Sequence, residues 1–283
     1  MTKSDLYAVF GQPIGHSLSP IIHKTFAEQT GQNLLYQARE VGLEHFTEAL
    51  ARFVAEGGRG LNCTVPLKEL AWRQADVLTP RARLSGAVNT LIRQAEGGWL
   101  GDNTDGVGLC QDLTQQGVML AGKRLLIIGA GGAARGIVQP LAEAGVASIA
   151  VVNRTRDKAV RLAETFQAVT ALEVLDFAEL DGRTFDVLIN ATSLSLSGEA
   201  PPLPAGCLHV SSICYDLAYN LKAPTPFVRW ARMQGAAYSL DGIGMLVAQA
   251  AEAFYLWRGI RPDTRPVLAS LIGAGQVVGE RVG

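Results

Sequence analysis

The segment that most constrains the fold is residues 123–136, KRLLIIGAGGAARG, in which a short apolar run meets a cluster of glycines. An apolar run as short as Leu125 to Ile128, bounded by glycine, is typical of a strand buried on both faces of a parallel sheet. Gly129, Gly131 and Ala134 follow at the spacing G-x-G-x-x-G/A, with which a tight turn leads into a helix. The backbone at Gly131 can approach a pyrophosphate, which the free N–H groups of the helix N-terminus bind. The segment therefore predicts dinucleotide binding.

The chain after residue 123 alternates between apolar runs and amphipathic stretches, which predicts a parallel sheet with right-handed crossovers. The expected strands are Leu125–Ile128, Ser148–Val152, Leu172–Leu175, Phe185–Ile189 and His209–Tyr215. The expected helices are 133–144, 156–166 and 224–234. Asn190 to Ser193 follow the fourth strand at its carboxyl end, where ligands bind in such sheets.

The residues that follow the second of these strands, 153–158 (NRTRDK), indicate which dinucleotide is bound. An NAD site places a carboxylate here for the ribose 2′-hydroxyl, whereas an arginine accommodates the 2′-phosphate of NADP. A basic, solvated helix start is the alternative, but cations at a helix N-terminus oppose the helix dipole. We therefore expect NADP, with Arg154 beside its 2′-phosphate.

Two serines precede the first helix predicted in the N-terminal half, which runs from Pro20 to about Thr30 after a strand at Tyr7–Gly11. Ser19 is placed to cap this helix, with proline at the first helical position. Ser17 and Ser19 together, beside a helix N-terminus, would also suit a bound carboxylate. The sequence leaves both interpretations open. Further strands are expected at Leu34–Val41 and Gly60–Val65, and a helix at Leu43–Ala55.

Lys68 is expected in the first turn of a helix that continues from Pro66, where the dipole disfavours a cation. Residues that oppose their local structure, as this charge opposes the dipole, are often found at functional sites. The alternative is a solvated lysine on the protein surface. Residues 102–105 (DNTD) similarly place four polar groups before a helix predicted at Val107–Gln116. One of them must cap that helix, but capping does not explain all four.

The helix predicted at 241–257 is apolar on nearly every face, so we expect it to be buried, with Gln249 needing a hydrogen-bond partner inside the protein.

The 283 residues suffice for two domains, and a net charge of −1 argues against binding to nucleic acid or an anionic membrane. The four cysteines and four histidines are scattered, so we expect no metal site and a soluble, cytoplasmic protein. We place one domain at 1–105 and 242–283, and the other at 106–241.

Several motifs, in order and from about Tyr7 to Trp257, resemble the shikimate dehydrogenase family. They are residues 13–20 (PIGHSLSP), 62–68 (NCTVPLK), 86–90 (GAVNT), 101–105 (GDNTD), 129–134 (GAGGAA), 153–155 (NRT), 190–193 (NATS) and 241–249 (DGIGMLVAQ). The resemblance implies an N-terminal α/β substrate domain plus a Rossmann-type parallel-sheet NADP domain, with a cleft between them. It implies reversible NADP-dependent oxidation of shikimate to 3-dehydroshikimate, run as a reduction in aromatic amino acid biosynthesis, by a monomer or homodimer. A dual quinate/shikimate enzyme and a non-catalytic NADP-binding regulator are the alternatives.

The resemblance also implies roles for individual residues. Lys68 and Asp105 would form the catalytic pair, either of which could transfer the proton. Residues that would bind the substrate are Ser17, Ser19, Asn62, Thr64, Asn89, Tyr219 and Gln249. Residues that would bind the cofactor are Gly129, Ala130, Gly131, Gly132, Ala133, Asn153, Arg154, Thr155, Lys158, Thr192, Leu217 and Gly242. Ser195 and Leu217 depart from the family pattern of glycine and methionine, which affects the expected cofactor fit.

Overall fold

The computed structural model of the chain describes residues 4–276, which divide into two compact units. The first unit extends to Gly108 and includes Val247–Val267, and the second comprises Leu109–Leu246 with the described residues from Leu268. These divisions fall after 108 and 246 rather than after 105 and 241, and the last described residues group with the second unit instead of the first. Both divisions fall within helices, so no loop marks them in the sequence.

The first unit is built on a six-stranded mixed sheet in the order β2-β1-β3-β5-β6-β4. Its strands are β1 (Asp5–Gly11), β2 (Leu34–Glu40), β3 (Gly58–Cys63), β4 (Val77–Leu78), β5 (Thr90–Arg93) and β6 (Trp99–Asp102). The helices that begin in this part of the chain are α1 (Ser19–Thr30), α2 (Phe46–Ala55), α3 (Lys68–Gln74), α4 (Pro80–Ser85) and α5 (Asp105–Gln115). Strand β5 runs antiparallel to both of its neighbours, whereas the other pairs are parallel.

The core of the first unit forms where α2 packs its apolar face onto the sheet. Phe46 and Phe53 of α2 contact Phe10 of β1 edge to face, with ring centroids 6.5 and 5.7 Å away. Leu61 and Leu91 from the adjacent strands complete the same cluster and are fully buried. Aromatic pairs of this geometry add to the free energy gained by burial. The predicted helix at 43–55 is divided, because a short 3₁₀ turn precedes α2.

The second unit contains a six-stranded sheet in which every strand pair is parallel. Its elements are β7 (Arg124–Ile128), α6 (Gly132–Glu143), β8 (Ser148–Val152), α7 (Arg156–Phe166), β9 (Leu172–Leu175), β10 (Val187–Asn190), β11 (Ile213–Asp216), α8 (Pro226–Met233) and β12 (Tyr238–Leu240). The order β12-β11-β10-β7-β8-β9 is that of the Rossmann dinucleotide-binding fold. The predicted parallel α/β class is confirmed.

The turn between β7 and α6 requires glycine at its first position. Gly129 has φ +110°, and a Cβ placed on it would lie 3.0 Å from the carbonyl oxygen of Ala191. Both the left-handed backbone and the close approach of a neighbouring strand end exclude a side chain here. The strand therefore turns sharply into the helix, as the glycine spacing predicts.

Two helices complete the described chain, α9 (Ile243–Arg258) and α10 (Thr264–Gln276). The predicted burial of α9 is confirmed, since Val247, Ala250 and Phe254 are fully buried. Within residues 4–276, no helix combines the length and apolar character needed to cross a membrane.

A buried ion-pair network fastens β6 to the helices around it in the first unit. Asp102, at the end of β6, accepts hydrogen bonds from Arg81 Nε at 2.7 Å and from Thr79 Oγ1 at 2.6 Å. Arg81 also lies 3.3 Å from Glu252 of α9, which pairs in turn with Arg261 at 2.8 Å. Burial alone would raise the pKa of Asp102, but Arg81 and the other donors hold it below its ordinary value.

The Asp102 carboxylate is expected to contribute to stability in a pH-dependent way. Asp102→Asn should lower the free energy of unfolding at neutral pH by about 3 kcal/mol, because it leaves a half-buried Arg81 with a weakened partner. A lowered folded-state pKa stabilises the protein above the unfolded value of about 3.9, and this contribution is lost as pH falls through the folded value. The wild type should therefore lose stability below about pH 4 more steeply than the variant does in urea unfolding.

The exposed pair Asp263–Arg265 provides the control. The pKa of Asp263 is also lowered, but both side chains of the pair are solvated. Asp263→Asn should leave the free energy of unfolding nearly unchanged. Equal effects of the two substitutions would contradict a stabilising role for the buried network.

Candidate active site

Lys68 and Asp105 form an ion pair between the first residues of two helices, α3 and α5. Lys68 Nζ lies 2.5 Å from Asp105 Oδ2, with 21% and 8% of the two side chains exposed. The backbone N–H of Asp105 donates to Asn103 Oδ1 at 3.1 Å, so the Asn103 side chain pairs with the first free N–H of α5. An ammonium has three donors and this carboxylate takes one, so Lys68 can also donate to a ligand.

Asn89 holds the other oxygen of the same carboxylate. Its Nδ2 lies 2.7 Å from Asp105 Oδ1 and 2.9 Å from Thr104 Oγ1. Its Oδ1 accepts from the backbone N–H of Thr104 at 2.9 Å and from the Thr90 hydroxyl at 2.8 Å. Because a carboxylate only accepts and a backbone N–H only donates, these contacts fix the orientation of the amide. Both oxygens of Asp105 are thus held by side chains of the first unit.

Gln249 reaches the same group of residues from α9. Its Oε1 accepts from Asn89 Nδ2 at 3.3 Å and from Thr104 Oγ1 at 3.4 Å. Gly108 of α5 makes this approach possible, because a Cβ there would lie 2.7 Å from the Gln249 backbone nitrogen. Gln249, a polar residue in the apolar helix α9, therefore has hydrogen-bond partners inside the protein, as its position in that helix requires.

Asn62 extends the group from the end of β3. Its Nδ2 donates to the carbonyl oxygen of Asn89 at 3.0 Å and to Thr90 Oγ1 at 3.1 Å. Thr64 follows directly after the strand and is half-buried. The first unit thus brings Asn62, Lys68, Asn89, Asp105 and Gln249 into one connected network.

Ser17 and Ser19 lie where the chain enters α1, but Ser19 is not the helix cap. It is the first helical residue, Leu18 occupies the cap position, and no side chain caps the helix. The capping interpretation of Ser19 is therefore wrong, because the helix starts one residue earlier than its proline suggests. Ser17 Oγ instead accepts a hydrogen bond from the Ser19 backbone N–H at 3.3 Å. Both hydroxyls lie beside an uncapped helix start, which suits an anion.

Three further candidates, Leu217, Tyr219 and Gly242, lie together beyond β11 in the second unit. A Cβ on Gly242 would lie 2.3 Å from the carbonyl oxygen of Leu217, so only glycine fits this position. Tyr219 is half-buried, and burial together with Asp241 raises its pKa.

The glycine-rich turn of the second unit has the features that a pyrophosphate requires. No side chain caps α6, and a Cβ on its N-cap residue, Gly131, would meet no atom within 4 Å. Asn153 braces the turn, since its Oδ1 accepts from the Ala130 N–H at 3.2 Å and its Nδ2 donates to the Thr155 carbonyl at 2.8 Å. Free helix N–H groups beside open space fit a bound dinucleotide. Gly132 and Ala133 are the first two residues of α6.

The basic residues at the start of α7 differ in how they are engaged. Arg156 pairs with Asp176 at 2.8 Å and lies 3.7 Å from Glu179. Arg154 and Lys158 are exposed, and within the described chain neither forms an ion pair. Arg154 is therefore available to an external phosphate, whereas Arg156 already has acidic partners.

The loop after β10 is anchored by two side chains. Thr192 Oγ1 donates to Asn190 Oδ1 at 2.7 Å, which holds the turn at the strand end. Ser195, one of the two departures from the family pattern, donates to Asp216 Oδ2 at 2.5 Å. Asp216 is fully buried and also accepts from Thr225 at 2.6 Å. The serine thus adds a tether to this loop that a glycine would lack.

Sequence reasoning did not find Thr90, Thr104 and Tyr36 as members of the site. Thr90 and Thr104 orient Asn89, and Tyr36 donates to Asn62 Oδ1 at 2.7 Å. Thr104 lies within residues 102–105, whose four polar side chains already indicate a functional site, so it could have been predicted from the sequence. Tyr36 lies within an ordinary strand sequence that carries no such mark.

Family models match three stretches of the chain. A shikimate dehydrogenase substrate binding domain matches residues 9–91, a shikimate/quinate 5-dehydrogenase model matches 112–197, and a shikimate 5′-dehydrogenase C-terminal domain matches 242–272. The first includes Asn62, Lys68 and Asn89 of the side-chain network around Asp105, and the second includes the glycine-rich turn.

Individual relatives match along nearly the whole chain. A shikimate dehydrogenase (NADP(+)) of Methylococcus capsulatus is 54% identical over 272 residues, which are 96% of this chain and 97% of that protein. The crystal structure of an Ael1 enzyme from Pseudomonas putida has 44% identity and a TM-score of 0.89, covering 95% and 98% of the two chains. Shikimate 5-dehydrogenase from Thermus thermophilus, in complex with NADP(H) and shikimate, has 35% identity and a TM-score of 0.84, covering 96% and 99%. The chain therefore belongs to the shikimate dehydrogenase family.

Proposed function

We propose that this chain is an NADP-dependent shikimate dehydrogenase that interconverts shikimate and 3-dehydroshikimate, working as a reductase in aromatic amino acid biosynthesis. The observation that carries the proposal is the Lys68–Asp105 pair, both of whose carboxylate oxygens are held in place by neighbouring side chains. Relatives with about half of their residues identical carry this name, which agrees with the chemistry of the pair. The substrate is a small molecule, and four unpaired, mostly buried cysteines suit the cytoplasm.

The first unit is proposed to bind the substrate. Shikimate carries one carboxylate and three hydroxyls, and the unit offers a serine pair beside an uncapped helix start and a network of amides. Ser17 and Ser19 would hold the carboxylate. Residues assigned to the hydroxyls are Asn62, Thr64, Asn89 and Gln249, and Tyr219 is proposed as a further substrate-binding residue. A site built from such groups rejects analogues that lack a hydroxyl, because its buried polar atoms are then left unpaired.

Lys68 is proposed to exchange the proton with the reacting oxygen. In the reductive direction, the Lys68 ammonium donates a proton to the carbonyl oxygen as that oxygen becomes a hydroxyl. In oxidation, the hydroxyl proton returns to the lysine amine. Asp105 keeps Lys68 aimed at that oxygen, and Asn89 prevents the carboxylate from rotating away. General acid–base catalysis by a positioned side chain contributes about 10²–10⁴-fold to the rate.

The second unit is proposed to bind NADP. When bound, the nicotinamide of NADP accepts or supplies the hydride. The turn from Gly129 to Ala133 would hold the pyrophosphate, with Asn153 keeping that turn in shape. Arg154, together with Thr155 and Lys158, would bind the adenosine 2′-phosphate. Residues proposed on the nicotinamide side are Thr192, Leu217 and Gly242.

The activity itself is tested by supplying the purified protein with NADPH and 3-dehydroshikimate and following loss of NADPH absorbance. We expect consumption of NADPH that stops when the ketone is exhausted, with shikimate as the product identified by mass and retention time. Binding of NADP without turnover would support a non-catalytic regulator instead.

Replacing both serines by alanine is expected to weaken substrate binding selectively. Ser17→Ala with Ser19→Ala should raise the KM for shikimate by about 100-fold, since two hydrogen bonds to a charged group are lost. The KM for NADP should stay within about twofold of its wild-type value, because the pyrophosphate turn lies in the other unit. Thr25→Ala, which removes a helix hydroxyl bonded to its own backbone, is the control. An unchanged KM for shikimate in the double variant would refute the carboxylate assignment.

A further inference from the structure

Tyr36, in the middle of β2, points its hydroxyl at the proposed substrate site. The hydroxyl donates to Asn62 Oδ1 at 2.7 Å, and only 7% of the residue is exposed. Within residues 4–276, the Asn62 amide nitrogen donates to two acceptors, the Asn89 carbonyl oxygen and Thr90 Oγ1. Both N–H bonds of the Asn62 amide are therefore committed to the protein.

The orientation of the Asn62 amide follows from its neighbours. A backbone carbonyl oxygen only accepts, so the atom of Asn62 that faces the Asn89 carbonyl must be the nitrogen. The atom that faces Tyr36 is then the oxygen, and the tyrosine hydroxyl must be the donor. An amide oxygen has two lone pairs, of which Tyr36 takes one. Asn62 is thus left with one acceptor position.

The Tyr36 ring is held from behind by α1. His23 stacks on it with centroids 4.2 Å apart and the ring planes within 9° of parallel. His23 is fully buried, and its ring nitrogens find no hydrogen-bond partner among the described residues. Burial lowers the pKa of His23 to about 3, against a smaller opposing effect of the nearby Asn62 side chain, so the imidazole that stacks on Tyr36 is neutral. Ser19, one helical turn before His23, lies beside the Tyr36 hydroxyl.

We propose that Tyr36 is a positioning residue that fixes Asn62 as a hydrogen-bond acceptor for one hydroxyl of the substrate. The inference rests on the proposed function, and it specifies how that site recognises a polyhydroxylated acid. Tyr36 also stands between Ser19, assigned to the carboxylate, and Asn62, assigned to a hydroxyl. It therefore sets the spacing of two substrate groups without being a catalytic residue itself.

The hydroxyl of Tyr36 matters because it is a donor to the Asn62 amide oxygen. Without that donor, the bonds to Asn89 and Thr90 still hold the amide nitrogen, but the oxygen loses a buried partner and the acceptor offered to the substrate is placed less precisely. Preorganised polar groups lose selectivity when the groups that orient them are removed. The ring stack on His23 does not depend on the hydroxyl and remains after removal of the oxygen alone.

Tyr36→Phe tests the proposal, with Tyr7→Phe as its matched control. Tyr7 is the direct cross-strand partner of Tyr36, is equally buried, and bonds Arg258 at 3.3 Å instead of a site residue. Tyr36→Phe should raise the KM for shikimate about tenfold and leave the KM for NADP unchanged. Tyr7→Phe should change neither constant, although both variants lose a buried hydroxyl.

A double-mutant cycle shows whether Tyr36 acts through Asn62. If it does, Tyr36→Phe combined with Asn62→Ala should lose no more kcat/KM than Asn62→Ala alone. The two monodeoxy derivatives of shikimate that keep the reacting hydroxyl provide a second readout. The wild type should have a lower kcat/KM for both than for shikimate, and Tyr36→Phe should reduce this difference about tenfold for one derivative only. A purely structural role would not produce that pattern.

The outcomes separate the two proposals. A wild-type protein that does not turn over shikimate would overturn the proposed function and this inference together. If the wild type turns over shikimate normally, any one of three results would overturn the role of Tyr36 and leave the proposed function standing. These are an unchanged KM for shikimate in Tyr36→Phe, fully multiplicative losses in the cycle, or an equal loss of discrimination for both derivatives.

Discussion

Lys68→Ala is expected to lower the turnover number by about 10²–10⁴-fold, the contribution of a general acid–base group. The variant loses the ammonium that donates to the reacting oxygen, so the proton must come from solvent. Its KM for NADP should be nearly unchanged, because the pyrophosphate turn belongs to the other unit. Steady-state rates in both directions measure this effect. Lys24→Ala, which removes a lysine from an exposed pair with Glu28, should be fully active.

Asp105→Asn should also slow turnover, since the amide holds Lys68 less firmly than the carboxylate does. Because the two side chains act as one unit, the Lys68→Ala/Asp105→Asn double variant should lose much less than the product of the single losses. Near-normal turnover of Lys68→Ala with a raised KM for shikimate would make Lys68 a binding residue, and the mechanism would then be wrong.

Arg154→Ala is expected to raise the KM for NADP by about 10- to 100-fold, because charge-assisted hydrogen bonds to the 2′-phosphate are lost. NAD lacks this phosphate, so its KM should be nearly unchanged. The ratio of the two kcat/KM values, measured with saturating shikimate, reports the change in preference directly.

Arg156→Ala provides the control on the same helix start. Arg156 is engaged by Asp176 and Glu179, so its removal should alter the KM for NADP far less than that of Arg154. A loss of equal size with NADP and NAD in Arg154→Ala would reject the 2′-phosphate assignment. So would a larger effect at Arg156 than at Arg154.

The second unit could be predicted closely because four of its strands are buried along almost their whole length. The alternation of apolar strands, amphipathic stretches and polar turns predicted the observed bounds of β8, α7 and β9. The predicted strand at His209–Tyr215 is shorter in the structure, where β11 begins at Ile213. The residues before it form a turn in which Ser212 donates to the Phe185 carbonyl, a tertiary contact that a local pattern does not reveal.

Short strands escaped prediction for a different reason. β4 has two residues and β12 has three, and both lie at sheet edges. Strands of this length show no apolar alternation, and their pairing partners alone define them. β12 nevertheless completes the sixth position of the Rossmann sheet.

Lys68 and Asp105 could be singled out in the sequence, Lys68 as a cation at a helix start and Asp105 as one of four adjacent polar residues, and the resemblance implied that they form a catalytic pair. A lysine at the start of a helix opposes the dipole, and the structure compensates it with the Asp105 carboxylate. Motif residues such as Asn89 and Gln249 were found by resemblance, and the structure joins them into one network. Tyr36 could not be found in this way, because its role depends on a contact between β2 and β3-end residues 26 positions apart.

The proposed activity couples the oxidation of shikimate to the reduction of NADP. Its most direct test is oxidation of shikimate and quinate, each with NADP and with NAD, measured in parallel on the wild-type protein. We expect kcat/KM for shikimate with NADP to exceed that of each of the other three combinations by at least about tenfold. Comparable rates on quinate, or a preference for NAD, would contradict it.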